Sequence, residues 1–547
     1  MNPLLLIMLV PAAATVALFF VDAEAKKAIR AISTVATGLV LLISIGMFVG
    51  FGDAPATWTA NADGGDTAHS YKYGFEADWI QDMGLAFRLG VDGMGLAMVL
   101  LTALIIFAGV MVSYTVEKRV KEYYICLLAL VTGVFGVFVS LDLFFYYFFY
   151  ELAVIPMFLL IGVWGSTTKT VDQNYATMKL VLLLSAGAVM ALVGLIAVWA
   201  DAGTFNMVLL EEWEFSKSFQ MTWFPVIFLG FAALVPMWPL HSWSPAGHAA
   251  APAAVSMLHA GVLMKLGAFG ILRLACTYFP QAAAEYLPYL ALICCMNIVY
   301  GGLVAISQRD MKLIIGYSSS SHMGYVLLGI ASMTMIGIEG AVFLMFAHGV
   351  MTALTFALIG WFYDQTHTRM LDDLGGLMKV MPFAGTLFII ASMASAGLPG
   401  FANFASELMV IIGAWESGSA PDAPGWLIIP AVLAVWGLVI TGVYLLRAIK
   451  DAWFGEMDER WKDLKDQRTF GERAPFILLT AVLLLFGFWP QGMLNVVEQG
   501  AKPLVHRIQA GRAQNDKAVK LLVPVDAMPR AEDSLETPKA KTQGEER

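Results

Sequence analysis

The chain has 547 residues, of which 59% are hydrophobic and 14% charged, with a formal net charge of −9. A soluble domain cannot bury that much apolar surface, so the composition predicts a polytopic membrane protein. The sequence gives no indication of nucleic-acid binding, because it contains no basic patch with interleaved aromatic residues. The four cysteines lie in apolar segments without metal-ligand spacing and indicate no redox framework: Cys126, Cys276, Cys294 and Cys295.

Fourteen apolar segments are long enough to cross a bilayer, which requires about 20 mostly apolar residues. They lie at 3–20, 30–50, 85–112, 123–141, 143–163, 176–200, 222–248, 252–276, 287–306, 311–331, 337–361, 380–415, 426–449 and 474–495. No positive charge precedes the first segment, and basic residues follow it, so we expect an uncleaved helix rather than a signal peptide. The predicted fold class is an all-α polytopic membrane protein with about 14 transmembrane helices.

The loops between these segments alternate in charge. Loops 51–83, 201–220 and 416–425 are nearly free of Lys and Arg, whereas the other set is rich in them: Lys26, Lys27, Arg30, Lys118, Arg119, Lys121, Lys169, Arg309, Lys312, Arg369, Lys379 and the stretch 447–473. The positive-inside rule assigns the basic set to the cytoplasm. Both termini are then expected on the periplasmic side of a bacterial inner membrane.

Two of the apolar segments are interrupted. Prolines at 236, 239 and 245 break the seventh, and the motif 397–400 (GLPG) breaks the twelfth. Proline removes an amide donor, and an unpaired backbone group is costly in hydrocarbon, so we expect both breaks to line a cavity within the protein. Because five successive spans reverse direction across the membrane, the spacing predicts two inverted five-helix repeats, the pattern of ion and solute transporters.

The expected organisation has five parts. They are 1–122 with helices 1–3 and the outside loop 51–83, a first repeat at 123–276 (helices 4–8), a second at 277–450 (helices 9–13), a cytoplasmic loop with helix 14 at 451–497, and a polar, partner-facing tail at 498–547.

Ionisable residues occur inside at least five of the segments, and each costs about 2.5 kcal/mol or more on insertion scales. The candidates are Glu151, Lys179, His241, His259, Lys265, His322, His348 and Glu407, with His248 close to the first break. An isolated lysine in a membrane span is as often a structural residue as a functional one, and an isolated histidine is more often a hydrogen-bonded packing residue than a functional one. Acids, bases and histidines on several spans can instead form a water-linked chain of titratable groups that moves protons.

Six stretches carry a resemblance to a known family. They are 121–165, VPMWPLHSW (235–243), GVLMKLGAFGILR (261–273), RDMKLIIGYSSSSHMGYVLLGI (309–330), HGVMTALTFALIGWFYDQTHTR (348–369) and GLPGFANFASELMV (397–410). Together they resemble membrane subunit M of NADH:quinone oxidoreductase (respiratory complex I), which belongs to the antiporter-like group shared with Mrp sodium/proton antiporters.

The resemblance implies a proton path and a set of partners. Glu151, Lys265 and Glu407 match the family's ionisable residues on spans 5, 8 and 12, and His322 and His348 match its central polar axis. It implies no cofactor in this chain, with flavin and iron–sulfur clusters in partner subunits. Subunits L and N are the implied neighbours within the bilayer.

One position departs from the family pattern. Leu234 stands where the family usually carries a lysine, two residues before the first proline of the break. Glu151 therefore lacks its usual cation, and an unpaired buried carboxylate is costly. The sequence-based hypothesis is that His259, with His241, replaces the absent lysine as the first relay.

Several functions remain open at this stage. The favoured function is proton translocation in a complex I-type membrane arm. The alternatives are an Mrp-type cation/proton antiporter subunit, a bridging subunit whose pumping is impaired by Leu234, and a relative linked to a membrane hydrogenase or formate enzyme. A pure scaffold gains nothing from buried ionisable residues, which argues against the bridging alternative.

Overall fold

Helices dominate the computed structural model, which describes residues 2–61, 65–421 and 423–522. The helices are α1 (Pro3–Phe20), α2 (Lys26–Val49), α3 (Gly93–Val112), α4 (Val120–Val139), α5 (Leu143–Trp164), α6 (Gln173–Ala202), α7 (Met207–Leu210), α8 (Lys217–Leu234), α9 (Trp243–Ala250), α10 (Ala253–Leu258), α11 (Met264–Gly270), α12 (Pro280–Ser307), α13 (Met311–Ala331), α14 (Met335–Thr366), α15 (Pro382–Ser395), α16 (Ala402–Gly418), α17 (Ile429–Trp453), α18 (Phe470–Phe488) and α19 (Gln491–Leu522). Two π-helical segments, His259–Leu263 and Ile271–Cys276, make α10 and α11 parts of one continuous helix that ends at Cys276.

Short polar side chains begin many of the apolar helices. The Asp92 carboxylate accepts a hydrogen bond from the Gly95 amide at 2.8 Å, which caps α3. Such caps satisfy amide groups that have no partner in the first helical turn. The same role falls to Asn2, Asp142, Asp172, Asn206, Ser216, Asp310, Thr334 and Thr469.

Eleven helices in the described part of the chain are long and apolar enough to cross a membrane. The continuous helix 253–276 and α14 have apolar stretches in which every residue is buried, so these two helices form the centre of the bundle. The predicted segments 222–248 and 380–415 are each divided into two helices, whereas 311–331 coincides with α13.

A small antiparallel sheet accompanies the helices, so the fold is not purely α-helical. Its strands β1 (Ala56–Ala60), β2 (His69–Ile80) and β3 (Leu85–Val91) pair in chain order. The sequence predicted the third span to begin at 85, and that boundary is wrong because 85–91 is a strand. Hydrophobic periodicity cannot distinguish a short apolar strand from the first turns of the helix that follows it.

The two ends of the bundle differ in what they carry. One end, here called the hairpin face, carries the sheet, the start of α1 and α19; Asn2 donates to the Tyr73 carbonyl at 2.7 Å, and Lys72 lies 3.1 Å from Gln499 Oε1. The opposite end, the basic face, carries Lys118, Lys169, Arg309 and the loop 454–469. Both described termini therefore lie at the hairpin face.

The C-terminal region departs from its prediction. Residues 491–522 form α19, which packs against α3, α12 and α14, so the first half of the expected partner-facing tail covers this chain's own hairpin face. Helix α18 ends at Phe488, earlier than the predicted boundary at 495. The rest of the tail, 523–547, lies outside the described residues.

The break between α8 and α9 is satisfied by side chains of neighbouring helices. Asn297 of α12 accepts from the Trp238 amide and donates to the Pro236 carbonyl at 2.8 Å. The Trp243 indole N–H donates to the Ala233 carbonyl at 2.9 Å. Backbone groups freed inside a membrane protein need such partners, which explains how this interruption is tolerated.

The break between α15 and α16 relies on glycine. Gly397 and Gly400 have φ angles of +70° and +99°, which side chains with a Cβ rarely adopt. A Cβ on Gly397 would also lie only 2.6 Å from Glu407 Oε2. The turn thus brings the backbone close to a buried carboxylate.

Candidate functional site

Lys265 lies at the centre of the bundle, on the short α11 between the two π-helical segments. Its side chain is fully buried. The ammonium donates to the Ala260 carbonyl and lies 2.7 Å from His348 Nδ1 on α14. A π-helical segment widens the local turn, and such segments often occur at functional sites. The lysine and the histidine can therefore share a proton across two helices.

His348 leads on to a second histidine. The His348 and His322 ring centroids are 5.0 Å apart. His322 Nδ1 contacts the Ser318 carbonyl at 2.8 Å, which directs Nε2 away from its own helix. That Nε2 lies 3.1 Å from the Ser395 carbonyl and 3.2 Å from Glu407 Oε1. Glu407 follows the break between α15 and α16 and ends this row of buried groups.

Lys265, His348, His322 and Glu407 thus form a continuous row, here called the central axis. All four side chains are at most 1% exposed. They come from four different helices, so only the folded bundle brings them together. A row of donors and acceptors at these separations can pass a proton when water completes its gaps.

A stack of four rings adjoins the Lys265 end of the axis. His259 lies between Trp243 and His248, with ring centroids 5.1 Å and 3.9 Å apart, and Phe356 covers the other side of His248 at 4.9 Å. A Cβ on Gly247 would come within 3.0 Å of the His259 ring, so glycine makes room for the stack.

The two stacked histidines present unsatisfied polar atoms. Both ring nitrogens of His248 and of His259 are buried and lack a hydrogen-bond partner among the described residues. Buried polar groups in proteins almost always have a partner, either protein or water. These four nitrogens are free to hydrogen-bond to water and to exchange a proton with it.

Leu234 sits in a tightly packed, apolar environment. Its side chain is fully buried at the end of α8. A Cβ on Gly267 of α11 would lie 2.6 Å from the Phe231 carbonyl, so α8 and the Lys265 helix pack almost backbone to backbone.

Three of the sequence candidates lie away from the central axis. Glu151 is half-buried on α5, and its recorded partner is the Tyr147 hydroxyl at 3.0 Å. Lys179 is half-buried on α6 and contacts Tyr175 at 3.2 Å. His241 packs edge-on against the Tyr300 ring. The structure therefore gathers five of the eight candidates, those at 259, 265, 322, 348 and 407, and leaves three elsewhere in the bundle, of which His241 is buried.

The sequence analysis missed a second buried network at the hairpin face. His69 contacts Asp92 at 3.1 Å and Glu211 at 3.1 Å, while Arg273 donates to Asp92 at 2.6 Å and Arg507 to Glu211 at 3.0 Å. The available signal was charge next to apolar segments, at GVDGMG (90–95) and at ILRL (271–274). Nothing in the sequence showed that β2, α3 and α19 converge there.

This network shifts the pKa values of His69 and Glu211, which lie outside the spanning helices. Burial alone would lower the pKa of His69, but Glu211 and Asp92 against its ring raise it above its ordinary value. Burial alone would raise the pKa of Glu211, but His69 and Arg507 lower it. Both imidazole nitrogens face carboxylates, so the protonated ring fits this site best.

A helical membrane bundle with two interrupted helices and a buried row of lysine, histidine and glutamate defines an antiporter-like, ion-translocating class of membrane protein. Residues 140–428 match the family model described as NADH:quinone oxidoreductase/Mrp antiporter, transmembrane. The chain belongs to this family, and the resemblance seen in its sequence is confirmed.

Individual relatives agree with that assignment. NADH-quinone oxidoreductase subunit M of Rhodobacter capsulatus is 36% identical over 79% of this chain and 84% of its own length. A chain in the structure of respiratory complex I from Thermus thermophilus with bound NADH is 26% identical, with a TM-score of 0.79 over 92% of this chain and 99% of that chain. A chain of the Mrp complex from Dietzia sp. DQ12-45-1b also has a TM-score of 0.79, over 94% of this chain and all of that chain, and at 19% identity it shows a shared fold.

Proposed function

We propose that this chain is a proton-translocating membrane-arm subunit of an NADH:quinone oxidoreductase (complex I) type enzyme. In this proposal electron transfer from NADH to quinone occurs in other subunits, which hold the flavin and the iron–sulfur clusters. The chain itself performs no redox chemistry and binds no cofactor. Its contribution to the enzyme is vectorial proton transfer, driven by conformational or electrostatic changes in its neighbours.

The central axis is the observation that supports this function. Lys265, His348, His322 and Glu407 are buried, adjacent and drawn from both halves of the fold. Burying ionisable groups in a membrane protein is costly, and residues that are retained despite this cost commonly mark a proton pathway. A proton on the Lys265 ammonium can pass to His348 Nδ1 along their 2.7 Å contact, then through water between the rings to His322, and on to Glu407.

The transmembrane topology is part of the proposal. Fourteen spans arise when α8 with α9, α13, and α15 with α16 are added to the eleven apolar helices. Matching packing supports two inverted repeats: α4 packs on α5 and α6 on α8, as α12 packs on α13 and α14 on α16. The positive-inside rule then places the basic face in the bacterial cytoplasm and the hairpin face in the periplasm.

Neighbouring subunits of the membrane arm are the proposed partners, with L and N directly adjacent. Glu151, Lys179 and His241 lie on or near half-buried helix surfaces away from the axis. We assign them to the neighbourhood of such a partner, where Glu151 can find the cation that Leu234 does not supply. Proton relay through His259 proceeds by way of His248, on which its ring stacks.

The proposal is tested by replacing Lys265 in the assembled enzyme. Lys265→Leu removes the central base, so proton uptake by inside-out vesicles during NADH oxidation should fall to a small fraction of the unmodified level. Lys169→Met is the matched control, because Lys169 is a lysine with an 81% exposed side chain on the basic face. Unchanged proton uptake in an assembled Lys265→Leu enzyme would contradict a pumping role.

An Mrp-type antiporter subunit remains the competing function, because the Dietzia Mrp chain shares the fold. Purification of the native complex separates the two. Copurification with flavin and iron–sulfur subunits supports the proposal, whereas a membrane complex without them supports the antiporter.

A further inference from the structure

A cavity of about 290 Å³ opens at the basic face, next to the central bundle but separate from the central axis. It lies where α3, α5 and α14 end and where α4, α10 and α13 begin. Exposed charged residues form its mouth, namely Glu117, Lys118 and Asp364. Its wall includes Lys312, whose side chain is only 3% exposed.

The environment of the Lys312 ammonium is unusual for a buried charge. It donates to the Ala251 carbonyl at 2.5 Å. The nearest carboxylate in sequence, Asp310, is engaged elsewhere, by Arg369 at 2.8 Å and by Thr170 at 2.9 Å. No carboxylate forms an ion pair with this ammonium in the described part of the chain. Asp310 and Asp364 attract this charge only at longer range. Burying a cation without a directly paired carboxylate is costly.

Lys312 also stands beside the stacked histidines. Its partner Ala251 directly follows α9, the helix that carries His248. One turn further along α13, a Cβ on Gly316 would lie 3.6 Å from the Cβ of His248. The interface between α13 and α9 therefore has the cavity lysine at one end and the unsatisfied His248 ring close by.

We propose that Lys312 is the proton-loading group of this subunit, which takes protons from the basic-face cavity and passes them towards His248. In the loading step the neutral amine gains a proton, so an N–H bond forms and an O–H bond of hydronium or of a carboxylic acid at the mouth breaks. In the transfer step that N–H bond breaks, and water carries the proton to an imidazole nitrogen of His248. This inference rests on the proposed function of the central axis.

A purely structural role is the alternative that the experiment must separate. The ammonium lies at the C-terminal end of α9, where any cation would stabilise the exposed carbonyls. Lys312→Arg keeps the charge and the donors, but guanidinium does not release its proton at accessible pH. A structural cation predicts that proton pumping survives this change, whereas a loading group predicts that it is lost while the complex still assembles.

The measurement is proton uptake by inside-out vesicles, normalised to the amount of assembled complex. We expect Lys312→Arg to lower proton uptake several-fold and Lys169→Met to leave it unchanged. Normal uptake in Lys312→Arg overturns the proposal. If Lys265→Leu abolishes pumping while Lys312→Arg does not, the proposed function stands and only the loading role fails; normal pumping in Lys265→Leu makes the proposed function itself fail.

A second variant keeps the test informative if arginine prevents assembly. Thr115 is exposed and lines the cavity, so a cationic methanethiosulfonate reagent on Thr115→Cys would obstruct it. Asp463→Cys, exposed in the loop 454–469 of the same face, is the control. We expect the reagent to inhibit pumping only in Thr115→Cys. Full modification of that cysteine, shown by mass, with normal pumping would overturn the proposal.

Discussion

At the scale of single residues, the stacked histidines His248 and His259 can have either a packing role or a proton-relay role. His259 occupies the centre of a four-ring stack, and a packing role and a relay role predict the same burial. His259→Phe separates them, because phenylalanine keeps the stack but cannot bind a proton. We expect proton uptake to fall by about tenfold or more, in line with the loss of a proton-transfer group. Phe356→Leu, which removes a ring without a titratable group, should leave it nearly unchanged. Normal pumping in His259→Phe would reduce the stack to packing.

The sequence predicted which residues form the central axis, but not which of them contact one another. Lys265, His322, His348 and Glu407 were selected because ionisable groups in apolar segments need a reason, and the structure gathers them. The pairing of Lys265 with His348 could not be predicted, since it depends on π-helical segments that leave no clear pattern in a uniformly apolar sequence. Lys312 was counted only as a loop charge, because its burial arises from the packing of three distant segments.

The break between α8 and α9 depends on the amide side chain of Asn297. Asn297 donates to the Pro236 and Ser320 carbonyls at 2.8 Å and 3.1 Å and accepts from the Trp238 amide. Asn297→Leu leaves these buried groups unpaired, which should destabilise the bundle by about 1–3 kcal/mol. The thermal transition of the purified complex should shift downward, whereas exposed Asn495→Ala should not change it. An unshifted transition would mean that water replaces the amide.

At the scale of elements, the sequence located the helices well and the strand and terminal helix poorly. Apolar runs of about 20 residues favour a spanning helix, which is why segments such as 3–20 and 143–163 match α1 and α5. The run 85–91 is too short for that argument and pairs with β2 instead. Helix α19 looked like a solvated tail because its polar composition hides an apolar stripe that packs on α3 and α12.

At the scale of the whole molecule, two buried polar systems lie at different depths. The central axis links both halves of the bundle near its middle, whereas the His69 network joins the sheet, the start of α3, the end of the Lys265 helix and α19 at the hairpin face. Arg273 and Lys265 share one continuous helix, eight residues apart. One helix therefore carries a charged residue of each system.

The attachment of α19 should depend on pH. The raised pKa of His69 means that its protonated ring stabilises the attachment fully below the unfolded value of 6.5, and that this contribution is lost as pH rises through the folded value. The lowered pKa of Glu211 acts oppositely: its contribution is present above the unfolded value of 4.5 and is lost as pH falls through the folded value. The groups facing His69 are Tyr71, Asp92 and Glu211, with Arg273 and Arg507 behind them.

Hydrogen exchange of residues 491–522 in the purified complex measures this attachment. After correction for intrinsic exchange, we expect protection of α19 to decrease as pH rises from 6.5 through the raised folded-state pKa of His69, where the imidazolium loses its proton. His69→Gln should give weaker protection that no longer changes over this range, since its amide carries no titratable proton. His367→Gln, at an exposed histidine on the basic face, should retain the full pH dependence. Equal pH dependence in His69→Gln would assign the titration to another group and show that the His69 network holds α19 without responding to protons.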